Sequence, residues 1–543
     1  MKKWLKTIAS ALVVTTALAG CYGGENQSSG GDSSANAKDV KQEIVLNLMT
    51  EPPALDPAMA TDVPSGWIID HTFEGLYTKD KEGKPVPGVA SDVQKSEDGK
   101  TYTFTIRDDA KWSDGTPVTA HDFEYSWKRT LDPATGSQFA FYLYYLKGGE
   151  EFNQGKGSAD EVGVKATDDK TLVVELNSPL GYFEELLTMW TFYPVKKDLV
   201  ESNKDWAAGA ETLVGNGPFK LVEWKHDSQV VAEKNEHYWG NKDVNLEKVT
   251  WKMVNDATTY YQMYKTGELD LIQTLPSDVV EQEKNSEEFL NVPYFGTYFY
   301  MFNVEKEPFN NEKIRRAFAM ALDRESLTKN ITKAGEIPAY AFVPPGVETS
   351  KGDFREVGGE YFEEDFAEAK KLLEEGMAEE GWTTLPEVEL LYNTAENHKK
   401  IAEAVQEMYK KNLGVDIKLT NQEWKTYLDT TDQGNFQMSR MGWIGVLNDP
   451  TVLLDYFLGD SPNNRTNWVN EEYDNLLDQA KAEQDPDKHF ELLHEAEKVL
   501  MEALPFVPVY HYTTTYLTSP KFEGLVYPNN RYPNLKWAKK VSE

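Results

Sequence analysis

Trp443 and Val446 lie in a stretch from Met441 to Pro450 that sets a glycine on each side of Ile444 and ends in Asn448-Asp449-Pro450, a turn signal. A flat indole, glycines and irregular backbone suit a place where another chain lies close. The same residues suit an ordinary tight corner between a strand and a loop. Other candidates for chemistry are thin. The 8 histidines are scattered without metal-ligand spacing. His489 and His494 do not share a helix face, and neither His-Glu-x-x-His nor Gly-x-Ser-x-Gly occurs. Gly155-Lys156-Gly157-Ser158 lacks the spacing of a phosphate loop. Acidic pairs such as Glu363-Glu364 abound among 90 Asp and Glu. Two carboxylates serve glycoside hydrolysis, but any two of so many would do, and a solvated face accounts for them more simply. The 14 Trp and 28 Tyr supply rigid, flat contact area for a core or a cleft.

These side chains need a frame. A buried strand is expected over 436–441, leading into the Trp443 stretch. Period-two runs place further strands over 44–48, 101–107, 171–176, 249–254, 415–419 and 507–512. Apolar faces place helices over 122–129, capped by Thr119, and over 180–190, 258–266, 313–327, 366–375 and 398–412. A helix pair over 472–482 and 487–503 sets Leu476, Leu477 and Ala480 against Phe490, Leu493 and Ala496. Strands and helices alternate without a fixed repeat, which predicts an α/β chain of several lobes rather than one barrel.

Composition narrows the function. The 543 residues are 40% hydrophobic, enough for two or three cores, since one core stops growing near ~250–300 residues. Net charge is −34, so binding to nucleic-acid phosphates is not expected. Cys21 is the single cysteine, which rules out a disulfide within the chain. Lys2 and Lys3 precede a short apolar run over 8–19, too short to read first as a spanning helix. Leu18-Ala19-Gly20-Cys21 then resembles a bacterial lipoprotein cleavage site. That resemblance implies a signal peptide over 1–20, a lipidated Cys21 and a polar tether over 21–39. A plain signal peptide with an incidental cysteine is the alternative. Two or more acyl chains hold a protein stably at a bilayer.

Several segments carry a second resemblance. These are Thr101 to Arg107 with Ala110 to Phe123, then Asn216-Gly217-Pro218-Phe219, Asn235 to Trp239, Pro308-Phe309-Asn310 with Arg315-Arg316-Ala317, Ala321 to Arg324, Lys410 to Val415, Asn421 to Lys425, and the Trp443 stretch. Together they resemble the oligopeptide-binding lipoproteins of the extracellular solute-binding protein family 5, receptors of ABC peptide importers. The resemblance implies a two-lobed, periplasmic-binding-protein-like clamp of three domains with a ligand cleft between the lobes. Domain I would be discontinuous, taking 40–73, 197–295 and 513–543; domain II would take 74–196 and domain III 296–512. By position, the family's N-terminal cleft strand falls on Val63, with Phe139 across from it. Trp424, Gly442, Trp443, Ile444 and Val446 fall on pocket walls and the main-chain track. Arg440 and His398 match positions that meet the peptide C-terminus; an ion pair for Arg440 and a core site for Trp424 are the structural alternatives. Tyr510 and Tyr512 both lie near one family cleft tyrosine.

Three departures stand out. Relatives carry at the position of Val446 an aspartate that pairs with the peptide's free amine. A second carboxylate of some relatives falls on Thr61. A basic position falls on Thr431, although Lys333 lies beside the match to another. Burying a charged amine against valine without a partner is costly, so a ligand not clamped at its N-terminus is expected. The function implied is capture of oligopeptides and delivery to a permease and ATPase on separate chains. The chain would be a monomer without cofactor or metal, ATP being the partner's. A murein or signalling peptide is the alternative ligand, and a surface glycoside hydrolase the alternative class.

Overall fold

Helix starts and strand ladders follow from local chemistry along the chain. A computed structural model describes residues 40–483 and 485–542, so the expected signal peptide, Cys21 and nearly all of the tether lie outside the described residues. Strand β1 (Glu43–Asn47) comes first. Helix α1 (Val63–Thr72) follows, begun by Asp62, whose carboxylate accepts from Ser65 N, with Pro64 in the first turn. Val63 therefore opens a helix, not the strand implied by the resemblance, because Asp and Pro at these positions both favour a helix start.

Strands β2 (Ala90–Lys95), β3 (Thr101–Ile106), β4 (Val164–Ala166) and β5 (Thr171–Glu175) make an antiparallel sheet in the order β2-β3-β5-β4. Helix α2 (Ala120–Leu131) packs on it, begun by a Thr119–Asp122 capping box. The helix expected over 180–190 shrinks to Phe183–Leu186, with a 3-10 turn at Trp190–Phe192. The residues between stay in short turns, with Thr188 N reaching Glu185 O and Met189 N reaching Leu186 O at 3.0 Å, until the backbone extends at Met189.

The main sheet has eleven strands among the described residues. Its later members are β6 (Phe219–Lys225), β7 (Gln229–Lys234), β8 (Lys248–Lys252), β9 (Leu271–Gln273), β10 (Phe289–Phe302), β11 (Ile337–Pro338), β12 (Glu389–Asn393), β13 (Lys418–Gln422), β14 (Met438–Ile444) and β15 (Phe506–Thr518). Their order is β13-β12-β14-β10-β15-β9-β1-β8-β7-β6, with β11 added on β15. The long strands β10 and β15 run unbroken past 295/296 and 512/513, the expected limits between domains I and III. Their pairing shifts register between Pro293 and Thr297.

Four helices concern the site or its support: α3 (Glu396–Asn412), α4 (Trp424–Asp432), α5 (Glu471–Ala482) and α6 (Pro486–Ala503). The α5–α6 pair buries Leu477, Ala480, Leu493 and Ala496 as the spacing predicts, while Leu476 and Phe490 are only partly buried against the core. The helix expected over 313–327 is two, Glu312–Met320 and Arg324–Leu327, because the Asp323 carboxylate accepts from Ser326 N and starts a second one. Strand β13 begins three residues later than expected. Gly414 adopts φ +74 and Val415 N still reaches back to Tyr409 O, so the chain is leaving α3 over those residues. Strand β14 runs to Ile444 rather than ending at 441, so Gly442 and Trp443 are ladder residues and the irregular backbone starts after them.

Several motif residues act as scaffold. Asn216 brackets the backbone of Glu74, accepting from its N–H at 3.0 Å and donating to its C=O at 2.9 Å. The Glu74 carboxylate accepts from the Tyr238 hydroxyl and the Trp239 indole at 2.5 and 2.6 Å. Arg324, fully buried, donates to Pro508 O and Ala319 O.

Candidate functional site

The strand β14 sets the geometry. Its ladder with β10 pairs Arg440 with Tyr300, Gly442 with Tyr298 and Ile444 with Gly296. On its other edge β12 pairs only with Met438 and Ser439, so no strand covers the backbone beyond them among the described residues. Residues alternate along a strand, which puts Arg440, Gly442 and Ile444 on one face and Met441 and Trp443 on the other.

A cleft of about 360 Å3 opens there. Val63, Phe139, His398, Trp424, Arg440, Gly442, Trp443, Ile444 and Val446 all line it. Tyr510 and Tyr512 both line it as well, so the structure does not choose between them by position alone. Contacts separate them: the Tyr512 hydroxyl accepts from Arg440 Nη2 at 2.8 Å, while Tyr510 stacks on Tyr298 at 4.7 Å. Thr61 lines the cleft, whereas Thr431 is fully buried and Lys333 is not part of the lining.

Arg440 is 8% exposed. Its guanidinium lies 4.6 Å over the Tyr298 ring, and Nη1 donates to Asn393 Oδ1 at 3.3 Å. No carboxylate comes within ion-pair distance of it among the described residues, and its Nε has no acceptor. The structural ion pair is thereby excluded for those residues. His398 stands in the first turn of α3, 5.7 Å from the Tyr298 ring. Burial, and then the charge of Arg440, holds its pKa well below the usual histidine range, so the ring is neutral and its Nδ1 is unpaired.

The other face is aromatic. Trp443 donates its indole N–H to Val452 O at 3.0 Å, packs on Tyr456 at 4.8 Å and meets the edge of Phe139 at 6.1 Å. Phe139 in turn neighbours Trp190 at 6.1 Å. Trp424 opens α4, stacks on Tyr427 at 5.7 Å and donates its indole N–H to Asp62 Oδ2 at 2.7 Å. Val446 is partly buried and brings only apolar surface; its C=O accepts from Asn530 Nδ2 at 3.0 Å.

Sequence reasoning missed three carboxylates in this lining, Glu396, which pairs with Lys400, and Asp62 and Glu336, which have no cation. Burial pushes Asp62 and Glu336 above the usual carboxylate range, against hydrogen bonds that pull them down. Asp62 had a signal, since an Asp before Val-Pro-Ser is a helix-start pattern. Glu336 had none, because its place in the cleft depends on the pairing of β11 with β15. Among the described residues no group of three or more His, Cys, Asp or Glu is set to hold a metal ion, and no helix is long and apolar enough to cross a membrane.

A mainly apolar cleft with a few placed polar groups is the form of a binding site. The profile of the bacterial extracellular solute-binding proteins, family 5 Middle, matches residues 84–465, and the chain belongs to that family of solute-binding proteins, which are not enzymes. The dipeptide-binding protein DppE of Bacillus subtilis is 43% identical over 531 residues, covering 98% of each chain. The substrate-binding domain of an oligopeptide ABC transporter from Bacillus anthracis superposes with a TM-score of 0.90 at 34% identity, covering 92% of this chain and 99% of that one. The murein tripeptide-binding protein MppA of Escherichia coli superposes at 0.87 with 37% identity, covering 93% of this chain and 99% of that one. Its unliganded open form reaches only 0.61 at 38% identity, covering 92% and 97%.

Proposed function

We propose that this chain is a lipid-anchored receptor on the outer face of a bacterial cell membrane that captures short peptides and hands them to an ATP-driven permease. Arg440 carries the reading. It is a buried cation on the cleft wall without an anionic partner, next to a strand edge left open beyond Ser439. A peptide supplies what both lack: its C-terminal carboxylate pairs with the guanidinium, and its extended backbone extends the strand edge. Neutral His398 sits beside that carboxylate as a further hydrogen-bonding group. The relatives bind dipeptides, oligopeptides and a murein tripeptide at comparable identity. A volume of about 360 Å3 lies at the small end of the ~300–1,000 Å3 usual for small-ligand sites, which favours the short ones. The transport partners are a permease and an ATPase on separate chains; ATP belongs to them, and this chain acts as a monomer without cofactor.

Calorimetry with one tripeptide in three forms tests this. Amidating the C-terminus removes the anion that Arg440 needs and is expected to weaken binding about 100-fold or more, as losing one partner of a buried charge pair costs several kcal/mol. Acetylating the N-terminus is expected to cost less than about 10-fold, because Val446 offers the amine no charge. Equal binding of the amide would remove Arg440 from the site. A ~100-fold loss on acetylation would show that another group clamps the amine.

A further inference from the structure

The charged groups of the cleft do not cancel. Among the described residues that line it, Lys400 pairs with Glu396 at 3.1 Å, Arg531 with Asp70 at 2.7 Å, and Arg465 with Asp432. Three groups are left without an opposite charge: Arg440, Asp62 and Glu336. Asp62 is committed twice, since Oδ1 accepts from Ser65 N at 3.2 Å to start α1 and Oδ2 accepts from Trp424. The dipole of α1 adds to this, as an anion is favoured at a helix N-terminus. Glu336 has no such account. Its Oε2 accepts from the Thr332 hydroxyl at 2.7 Å and from Ala334 N at 2.9 Å, and both donors are neutral.

The ladder locates it. Strand β11 pairs Ile337 with His511 and Pro338 with Tyr510. Ala339 N continues to Val509 O, and the Thr513 hydroxyl donates to Ala334 O at 2.8 Å. That register, extended by one residue, sets Glu336 across from Tyr512, and residues directly opposite in an antiparallel pair share a face. Tyr512 is the residue whose hydroxyl holds Arg440. One tyrosine therefore has the cleft's free cation on one side and its free anion on the other. A half-buried carboxylate without a cation is costly unless the ligand brings one.

We propose that Glu336 forms a subsite for a positively charged side chain on the C-terminal residue of the bound peptide. The α-carboxylate goes to Arg440, and the side chain, on the length of a lysine or a diamino acid, turns past Tyr512 to Glu336. The cleft is then matched to peptides that end in a lysine-like residue rather than to peptides at large. This rests on the peptide-receptor reading above and adds the class of peptide to it.

The test is calorimetry on the detergent-solubilised full-length protein and its Glu336→Gln variant, with Ala-Ala-Lys, Ala-Ala-norleucine and Ala-Ala-(Nε-acetyl-lysine). Native protein is expected to bind the lysine peptide about 10-fold or more tightly than the other two. In Glu336→Gln, which keeps an acceptor for Thr332 and Ala334, the preference is expected to fall within about 2-fold, also set by the loss of that charge pair. Equal binding of all three by native protein overturns the subsite while leaving peptide capture intact. A preference that survives in Glu336→Gln overturns it as well and makes the charge a structural one, as does a uniform loss for all three peptides. Failure of every peptide to bind native protein overturns the peptide reading itself. The comparison of ligands on native protein holds even if the variant does not fold.

Discussion

Arg440 and Tyr512 work as one unit, and Gly442 is what lets them meet. A Cβ on Gly442 would collide with the Tyr512 hydroxyl and come within 3.2 Å of Arg440 Nη2. The glycine therefore makes room for a side chain of the protein rather than for the ligand. Gly442→Ala pushes Tyr512 away from the guanidinium. Overpacking of this kind costs about 1–3 kcal/mol; the expected result is a loss of peptide affinity of about 10-fold, read by calorimetry, with circular dichroism unchanged. Unaltered affinity would mean that the Arg440–Tyr512 bond does not matter for binding. At this scale much of the cleft was legible, but not its carboxylates. The nine side chains named from the resemblance all line one cleft. Glu336 stayed hidden because it is 104 positions from Arg440 in the chain and reaches the same tyrosine only through a two-residue strand.

At the scale of elements, the loop after β14 depends on a helix that does not touch the cleft. Asp449 Oδ1 accepts from Thr451 N at 2.8 Å, and Oδ2 faces His489 Nε2 of α6 at 3.3 Å. Three residues on, Val452 accepts the indole proton of Trp443. Burial works against protonation of His489, but the Asp449 hydrogen bond and charge win, and its pKa is raised above the usual histidine range. The Asp449 carboxyl is correspondingly lowered, against its burial. A raised histidine stabilises fully below its unfolded pKa of about 6.5, and the contribution fades as pH rises through the folded value. The Asp449 contribution is present above about 3.9 and fades as pH falls through its lowered value. Thermal midpoints are therefore expected to fall between pH 6 and pH 9 by more in native protein than in His489→Gln. Parallel curves for the two would dismiss the pair. Most helices and strands were legible from periodicity and caps. The errors at β14 and β13 arose where ladders with distant strands, or the way a chain leaves a helix, decide the end of an element. The glycines around Ile444 suggested a break in the backbone, yet pairing with β10 carries the strand through to Ile444.

At the scale of the whole molecule, the proposed lipid anchor would set where the cleft works. If Cys21 carries the lipid, Cys21→Ala is expected to move the protein from the membrane fraction to the culture supernatant or periplasm while leaving peptide affinity unchanged. Retention at the membrane would remove the anchor. The clamp was legible from motifs that turn out to be scaffold, such as Asn216, Trp239 and Arg324. The contacts that join its distant parts were not, such as Trp424 to Asp62 and Gln138 to Asp432, between residues about 300 positions or more apart. Under the expected limits the first of these bonds joins domain III to domain I and the second joins it to domain II. The same limits are crossed by β10 and β15, two neighbouring strands hydrogen-bonded to one another. Such a join behaves as a leaf spring. A flexible loop would let one lobe wander in any direction; a paired ribbon resists sliding and stretching, and yields to bending and twist. The register of this ribbon shifts between Pro293 and Thr297, where Phe295 N turns from β15 to Asn529 O and Gly445 N turns to Phe295 O. Phe295 thus ties the register shift to the first residue beyond β14, so a bend of the ribbon there would carry into the cleft wall.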